Sequence, residues 1–234
     1  MIFAAGLGTR LRPLTNDIPK ALVKLDGKPL LEHVIIRMKE IGVKRIVVNV
    51  HHFAEKVIAF LDSKEWGVDI NISHEKDLLL DTGGGLYNAK DLFIKDEPIL
   101  IYNVDVLSDM NLDLMINNHT DSSALVTLLA RSSYSDRVFM QKDNRLTGWQ
   151  NLVTGEKKIV DNDFYESEPI GFTGIQILSY RIFDLIEERG VFSIVDLYLR
   201  LAKTEKIHVL VDNNCLWMDL GTPKALVTAS ELVR

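Results

Sequence analysis

Two glycines, an arginine and a lysine near the start of the chain have the types and spacing needed to hold a polyphosphate. Gly6 and Gly8 follow a short apolar run, residues 2–5, that we predict to be a buried strand. A glycine directly after a strand lets backbone N–H groups approach an anion closely, because it has no Cβ. Arginine adds a forked cation suited to phosphate oxygens, and lysine adds a point charge. We therefore expect an anion-binding loop made of Ala5, Gly6, Gly8, Thr9, Arg10 and Lys20.

Other glycine-rich loops also bind phosphate, and their sequences differ from this one. A P-loop would need Gly-Lys-Ser or Gly-Lys-Thr at a fixed spacing, and the segment has neither. A dinucleotide-binding loop would place its third glycine at Leu11 and an acidic residue after the next strand, which ends in Val-Asn-Val at 48–50. A plain turn with solvated arginines remains as the alternative, and the Pro-Lys pair at 19–20 disfavours it.

Three polar residues stand at the ends of apolar runs, where parallel sheets bind their ligands. The run 98–105 ends with Asn103 and Asp105, which are two residues apart and share one face of an extended strand. Asp219 ends the run 216–218, shortly before Thr222 and Pro223 open the last predicted helix. From these residues alone, Asp105 is either a helix cap or a metal ligand, and Asp219 is more simply a structural residue.

A triple glycine lies in the middle of the first half of the chain. Three consecutive glycines are unfavourable inside a helix, so we place Gly83, Gly84 and Gly85 in a loop ahead of a helix over 86–92. Such a loop could present N–H groups to the exocyclic oxygen of a nucleobase, while Glu75 accepts from the ring N–H. Uracil, thymine and guanine share that pattern, so the base stays open. The alternative is a flexible turn without function.

The elements that must position these residues alternate between strand and helix. Apolar runs at 45–50, 68–73 and 98–105 are typical of buried parallel strands, and helical spacing predicts helices over 30–41 and 54–61. This order predicts an α/β fold with a doubly wound, mostly parallel (Rossmann-like) mixed sheet. Further along we predict helices at 111–118, 181–188 and 195–203, strands at 124–130, 170–178 and 207–211, and a less regular β-rich segment at 131–155.

Size and composition narrow the range of functions. The 234 residues carry a net charge of −6, with 47% hydrophobic and 26% charged residues, which is ordinary for a soluble globular chain. The acidic balance argues against a nucleic-acid or anionic-membrane partner. A single cysteine excludes an internal disulfide and a cysteine-based metal cluster. No apolar run approaches the ~18 residues of a membrane span, so we expect a cytoplasmic enzyme.

The opening motif resembles the signature of the sugar-phosphate nucleotidyltransferases. Residues 6–15 carry the resemblance with Gly-Leu-Gly-Thr-Arg-Leu-Arg-Pro-Leu-Thr, followed by Pro-Lys at 19–20, and the similarity extends over nearly the whole chain. Within that family the chain is most similar to the small N-acetylmuramate-1-phosphate uridylyltransferases. The resemblance implies one domain of the nucleotide-diphospho-sugar transferase type over 1–234, with a nucleotide-binding half over about 1–110 and a sugar-binding half over about 111–234.

The resemblance also implies catalytic roles. Asp105 and Asp219 would be the ligands of Mg²⁺, although Val104 replaces the glycine of the family's Asn-Gly-Asp. Arg10, with the amides of the glycine loop, would hold the leaving pyrophosphate. Lys20 would neutralise the charge that develops on the α-phosphate.

Further residues would bind the substrates if the resemblance holds. The family's Glu-Lys-Pro element, whose lysine meets the sugar phosphate, has no counterpart, because 165–169 have the sequence Tyr-Glu-Ser-Glu-Pro. In addition to the opening loop, the nucleotide would meet Glu75, Gly83 and Asn103. The sugar would meet Gly84, Thr173 and Gly174.

The expected reaction is Mg²⁺-dependent transfer of a nucleotidyl group from an NTP to a sugar 1-phosphate, giving a nucleotide sugar and pyrophosphate. We expect UTP and N-acetylmuramate 1-phosphate, as in nucleotide-sugar biosynthesis for cell-wall recycling. The alternative within the class is a mannose- or heptose-1-phosphate guanylyltransferase. The alternative from another class is a non-catalytic nucleotide-sugar sensor. The partners would be these small molecules, with no nucleic acid and no membrane, and a homodimer stays open.

Overall fold

A computed structural model describes residues 1–133 and 136–232, so positions 134 and 135 of the predicted β-rich segment lie outside the described residues. The α-helices are α1 (Leu30–Glu40), α2 (Ala54–Asp62), α3 (Asp81–Asn88), α4 (Leu112–Ser122), α5 (Ile182–Leu185), α6 (Ile194–Leu201) and α7 (Pro223–Leu232). The strands are β1 (Ile2–Phe3), β2 (Lys24–Leu25), β3 (Lys28–Pro29), β4 (Arg45–Val50), β5 (Asp69–His74), β6 (Ile99–Asn103), β7 (Val106–Ser108), β8 (Val126–Arg131), β9 (Arg137–Lys142), β10 (Arg145–Asn151), β11 (Lys157–Ile159), β12 (Glu168–Leu178), β13 (Ile207–Val211) and β14 (Trp217–Asp219).

One mixed sheet of ten strands spans both halves of the chain. Its order is β11-β10-β13-β8-β12-β6-β1-β4-β5, and β9 pairs with β10 and β12. The group β5-β4-β1-β6 is parallel throughout, which confirms the predicted Rossmann-like arrangement. β12 runs antiparallel to β6 and β8, so the mixed character begins there. The carboxyl ends of β1, β4 and β6 meet at one edge of the sheet, where ligands are expected.

Two hydrophobic cores flank this sheet because successive residues of a strand point to opposite faces. On β4, Ile46 and Val48 belong to the core that contains α1, whereas Val47 belongs to the core that contains α6. A strand buried on both faces must be apolar along its whole length, which is why the parallel strands read as continuous apolar runs. Among the described residues, every helix is too short or too polar to cross a membrane.

The triple glycine lies inside α3, so the prediction that it forms a loop ahead of a helix is wrong. The segment 190–192 packs directly on these glycines. A Cβ at Gly83 would lie 2.4 Å from the ring of Phe192, and one at Gly84 would lie 2.2 Å from the carbonyl oxygen of Gly190. This close packing requires glycine, and the tertiary contacts outweigh the roughly 1 kcal/mol by which glycine disfavours a helix.

The predicted helix over 181–188 is also shorter than expected, since α5 ends at Leu185. Arg200, on α6, explains the early end. Its guanidinium donates to the Leu185 carbonyl oxygen at 2.8 Å and pairs with Glu188 at 2.6 Å. These contacts give the Leu185 carbonyl oxygen and the Glu188 carboxylate a partner outside any helix, so the segment beyond Leu185 needs no further helical turn.

Candidate functional site

The opening glycine loop folds back on Lys20. Gly8 has φ +65°, a left-handed conformation that glycine adopts without steric cost. A Cβ at Gly8 would lie 3.1 Å from the Cβ of Lys20 and 3.1 Å from the Cγ2 of Thr15. The Thr15 hydroxyl donates to the Gly8 carbonyl oxygen at 2.7 Å, which closes the loop. The Lys20 side chain therefore packs directly against Gly8 of the glycine loop.

Four charged side chains from distant parts of the chain meet beside this loop. The Nζ of Lys20 donates a hydrogen bond to Oδ2 of Asp105. Arg10, in the short 3₁₀ turn Thr9–Leu11, donates from Nη1 to Oδ2 of Asp219 at 3.0 Å, although the two residues are 209 positions apart. The Nη2 atom of Arg10 lies 3.8 Å from the Asp105 carboxylate. Two cations and two anions thus form one network.

The backbone explains why the two aspartates are neighbours. β6 ends at Asn103, and Asp105 occupies the turn into β7 rather than the strand, which corrects the predicted strand over 98–105. β7 pairs with β14 so that Val106 faces Asp219. The Leu220 amide donates to the Asp105 carbonyl oxygen at 2.8 Å and fixes the contact.

The environment of Asp219 favours its carboxylate form. Partial burial alone would raise the pKa of this group, but hydrogen bonds from the Gly221 amide at 2.7 Å and from Arg10 outweigh it. The pKa of Asp219 is therefore held below its usual range. A deprotonated carboxylate is what a cation or a metal ion would need here.

The two aspartates fit a divalent ion that is shared with a substrate. Mg²⁺ is commonly held by one or two carboxylates together with phosphate oxygens rather than by a cage of protein ligands. Asp105 and Asp219 supply two such carboxylates in one crevice. Within residues 1–133 and 136–232, no group of three or more His, Cys, Asp or Glu side chains could hold a metal. The donor set therefore suits an ion that takes its remaining ligands from phosphate and water.

A cavity of about 420 Å³ adjoins this network on the side of β1 and β4. Glu75 lines it and is almost fully buried. Its Oε1 accepts from the Nδ2 of Asn49 at 2.7 Å, and its Oε2 accepts from the Leu80 amide at 2.8 Å. Each carboxylate oxygen keeps a second lone pair for a ligand. The predicted site residues that line this cavity are Ala5, Gly6, Lys20, Glu75, Asn103 and Asp105.

The N–H groups of Gly83 and Gly84 already have a backbone partner, which contradicts the predicted contact between these amides and a nucleobase. Both N–H groups donate to the carbonyl oxygen of Phe192, at 3.0 Å and 3.2 Å. Both residues are buried beneath the segment 190–192. The triple glycine thus serves the packing of α3 against the chain that leads into α6.

A second, larger cleft of about 810 Å³ opens on the other side of Asp219. Thr173 lines this cleft, but its hydroxyl already donates to the Leu129 carbonyl oxygen at 2.8 Å. Gly174 is placed against Asn103 instead, because a Cβ there would lie 2.6 Å from the Asn103 Nδ2. The cleft has an aromatic wall made of Phe139, Trp149, Phe172 and Trp217.

Sequence reasoning missed two residues that position the network. Asn49 accepts from the Ala4 amide at 2.7 Å and donates to Glu75, so it ties β1 to the cavity. The sequence does carry a sign of this role, because Asn49 is a polar residue within the apolar run 45–50. A Cβ at Gly221 would lie 2.5 Å from the Nη2 of Arg10, so only glycine leaves room for the guanidinium. The sequence holds no separate signal for that contact.

Comparisons with known proteins agree with this architecture. The nucleotidyl transferase family matches residues 1–139. The N-acetylmuramate alpha-1-phosphate uridylyltransferase of Caulobacter vibrioides is 33% identical over 98% of this chain and 94% of its own length. A probable mannose-1-phosphate guanylyltransferase of Arabidopsis thaliana is 30% identical over 99% of this chain, which spans 64% of that relative. The crystal structure of HddC from Yersinia pseudotuberculosis has the same fold, with a TM-score of 0.78 at 23% identity over 100% of this chain and 98% of that one.

The chain belongs to the nucleotidyl transferase family, to which the glycine loop and the α/β sheet had pointed. Its relatives act on sugar 1-phosphates, and the similarity covers almost the whole chain. It is a sugar-1-phosphate nucleotidyltransferase.

Proposed function

We propose that the enzyme transfers a uridylyl group from UTP to N-acetylmuramate 1-phosphate and releases pyrophosphate. The observation that carries this proposal is the meeting of Arg10, Lys20, Asp105 and Asp219 between two cavities. The uridylyltransferase from Caulobacter vibrioides supports the choice of substrates, because this chain spans 94% of its length.

The chemistry needs little covalent help from the protein. An oxygen of the sugar phosphate attacks the α-phosphorus of UTP, and the bond from that phosphorus to the bridging oxygen of pyrophosphate breaks. The attacking phosphate is largely ionised at pH 7, because its second pKa is about 6, so no general base is required. The protein must bring two polyanions together in line and neutralise their charge.

Arg10 and Lys20 supply the neutralising charge. Lys20 stands where the glycine loop meets Asp105, so we assign it to the α-phosphate. Arg10 is more exposed and lies on the rim of the same crevice, so we assign it with the glycine-loop amides to the departing pyrophosphate. Asp105 and Asp219 would hold Mg²⁺, which when bound supplies further charge neutralisation across the phosphates.

The two cavities would divide the substrates between them. The 420 Å³ cavity contains Glu75 and the opening loop, so we place the nucleoside there. The 810 Å³ cleft carries the aromatic wall, and aromatic rings pack well against the apolar face of a sugar, so we place the sugar there. Asp81 lines both spaces, which makes them neighbours. This division corresponds roughly to a nucleotide-binding half over about 1–110 and a sugar-binding half beyond it.

Arg131 is the residue that we assign to the sugar phosphate. It ends β8 and lines the larger cleft. Its Nη1 donates to the Cys215 carbonyl oxygen at 2.7 Å, in the segment that leads into β14 and Asp219. The guanidinium is thus anchored on the side of the cleft that faces the charged network. It would replace the lysine that the Glu-Lys-Pro element provides in similar proteins.

A guanylyl transfer to mannose 1-phosphate is the second candidate. The relative from Arabidopsis thaliana supports it at 30% identity, although this chain spans 64% of that protein. Uracil and guanine both present a carbonyl oxygen beside an N–H, so Glu75 alone does not separate the two bases. A direct comparison of substrates does.

The test measures pyrophosphate release for each pair of UTP, GTP or dTTP with N-acetylmuramate 1-phosphate or mannose 1-phosphate, in the presence of Mg²⁺. We expect the highest kcat/KM for UTP with N-acetylmuramate 1-phosphate. Lys20→Ala and Asp105→Ala should each lower kcat about 10²–10³-fold. Lys28→Ala, at an exposed lysine on β3, is the matched control and should leave kcat unchanged.

Three outcomes would contradict the proposal. A preference for GTP with mannose 1-phosphate would support the second candidate instead. Nucleotide binding without pyrophosphate release from any pair would indicate a sensor. If Lys20→Ala and Asp105→Ala both kept near-normal turnover, with folding intact by circular dichroism, the charged network would have no part in the reaction.

A further inference from the structure

We propose that the larger cleft selects a sugar 1-phosphate that carries a second anionic group, and that Arg137 binds this group as a carboxylate. This inference rests on the proposed function and names the feature of the acceptor that the enzyme recognises. It concerns the side of the cleft away from Asp219, formed by β9, β10 and β11.

The register of these three strands places the relevant side chains on one face. Phe139 lies opposite Trp149 on the neighbouring strand, and Trp149 lies opposite Lys158 on the next. Arg137 is two residues from Phe139 and lies opposite Asn151, so it points to the same face as the aromatic rings. Its position is diagonal to Trp149, at a backbone separation of roughly 7–8 Å. A ring stacked on Trp149 would therefore have the Arg137 guanidinium within reach of a substituent.

Among the described residues, no side chain of the cleft neutralises the Arg137 guanidinium. Three cations line the cleft, and two of them are already engaged. Lys158 pairs with Asp196 at 2.6 Å, and Arg131, which is anchored to the Cys215 carbonyl, is assigned to the sugar phosphate. In the part of the chain that the structure describes, 1–133 and 136–232, Arg137 has no carboxylate within 4 Å and no side-chain hydrogen bond. Its planar fork can therefore take both oxygens of a ligand carboxylate.

The acidic residues of the cleft lie elsewhere. Asp81 stands at the boundary with the nucleotide cavity, and its Oδ1 accepts from the Thr82 amide at 2.6 Å. Glu156 directly precedes β11, and its carbonyl oxygen accepts from Asn151. It is two strand spacings from Arg137, roughly 10 Å. On this face the Arg137 guanidinium on β9 and the Glu156 carboxylate beside β11 lie on either side of the aromatic rings, while Lys158 on β11 is paired with Asp196.

This polarity suits an acidic sugar held in one orientation. N-acetylmuramate differs from N-acetylglucosamine by a lactyl ether that ends in a carboxylate, and the two otherwise share every group. A carboxylate would point toward Arg137, while hydroxyl groups could donate to Glu156. A neutral sugar would leave the guanidinium without a partner.

The experiment compares kcat/KM for N-acetylmuramate 1-phosphate and N-acetylglucosamine 1-phosphate, with UTP and Mg²⁺. We expect the full chain to prefer the acidic sugar at least about 10-fold, as a charge-assisted bidentate contact allows. Arg137→Met should lower kcat/KM for the acidic sugar about 10–100-fold, mainly through KM, and change the neutral sugar less than about threefold. Arg137→Lys should retain part of the preference, because it keeps the charge but not the fork.

Lys157→Met is the matched control. It removes a positive charge from the face of β11 that points away from the cleft, next to Lys158, and should change kcat/KM for neither sugar 1-phosphate. Equal losses for both sugars in Arg137→Met, or no preference in the unmodified enzyme, would overturn the inference. In either case pyrophosphate release would still support the proposed transfer. Release with no sugar 1-phosphate at all would refute the proposed function itself.

Discussion

Gly84→Ala is the substitution that most sharply tests how α3 is packed. In an exposed helix this change would be favourable by about 1 kcal/mol, because alanine loses less backbone freedom than glycine. Here the added Cβ would lie 2.2 Å from the Gly190 carbonyl oxygen and 3.0 Å from the Leu80 Cβ. A backbone atom cannot swing away as a side chain can, so the segment 190–192 must move as a whole.

The cost follows from what that movement breaks. Overpacking of this kind costs about 1–3 kcal/mol. The shift also weakens the two hydrogen bonds from α3 to the Phe192 carbonyl oxygen, at about 0.5–1.5 kcal/mol each. After the helix-propensity gain is subtracted, we expect a net loss of about 1–5 kcal/mol in the free energy of unfolding.

Thermal unfolding measures this loss directly. For a chain of this size, 1 kcal/mol corresponds to about 2–4 °C, so Tm should fall by roughly 2–20 °C. Gly6→Ala is the control, because its Cβ would meet no atom within 4 Å. A Gly84→Ala protein that is as stable as the unmodified chain, but no longer binds UTP, would refute the packing argument. That result would instead indicate an open loop that faces the nucleotide.

Three further predictions concern the network, the core and the cleft. Gly221→Ala should lower kcat about 10–100-fold and change stability by less than about 1 kcal/mol, because its Cβ would lie 2.5 Å from Arg10 Nη2 and 2.7 Å from Asp219 Oδ1, which are the ends of two side chains rather than backbone atoms; unchanged kcat would contradict this. Burial of His119 lowers its pKa from 6.5 to about 4, so its neutral form stabilises the fold fully above pH 6.5 and that stabilisation is lost as the pH falls toward 4. The total change in the free energy of unfolding that His119 contributes over this pH range is at most about 3 kcal/mol. His119→Gln should therefore reduce the slope of the free energy of unfolding against pH between 4 and 6.5. An unchanged slope, measured by urea titrations at several pH values, would contradict this. Trp149→Ala should raise KM for the sugar 1-phosphate about 10-fold and leave KM for UTP unchanged in steady-state assays; equal effects on both would contradict its place in the sugar cleft.

The sequence predicted well what depends on local chemistry. A glycine that follows a buried strand, and an arginine and a lysine close behind it, are all within twenty residues, so Gly8, Arg10 and Lys20 could be grouped from their order alone. The parallel strands were recognisable because burial on both faces requires continuous apolar runs, and β4 and β13 have the predicted bounds.

What the sequence could not predict depends on contacts between distant segments. Asp105 and Asp219 become neighbours only through the pairing of β7 with β14, which no local pattern specifies. The intrinsic preference of glycine predicts a loop at residues 83–85, and the contact with Phe192 reverses that preference. Arg137 joins the cleft through the register of three strands. Its chemical type alone gave no reason to select it among the surface cations.

The charged network is tested most directly by a double-mutant cycle on Asp105 and Asp219. Pyrophosphate release from UTP and the sugar 1-phosphate would be measured for Asp105→Asn, Asp219→Asn and the double variant. If both carboxylates act on the same phosphates as one unit, each single change should lower kcat about 10²–10³-fold, and the double change should cost little more than either one. Losses that multiply in the double variant, or single variants with near-normal kcat, would contradict a shared site.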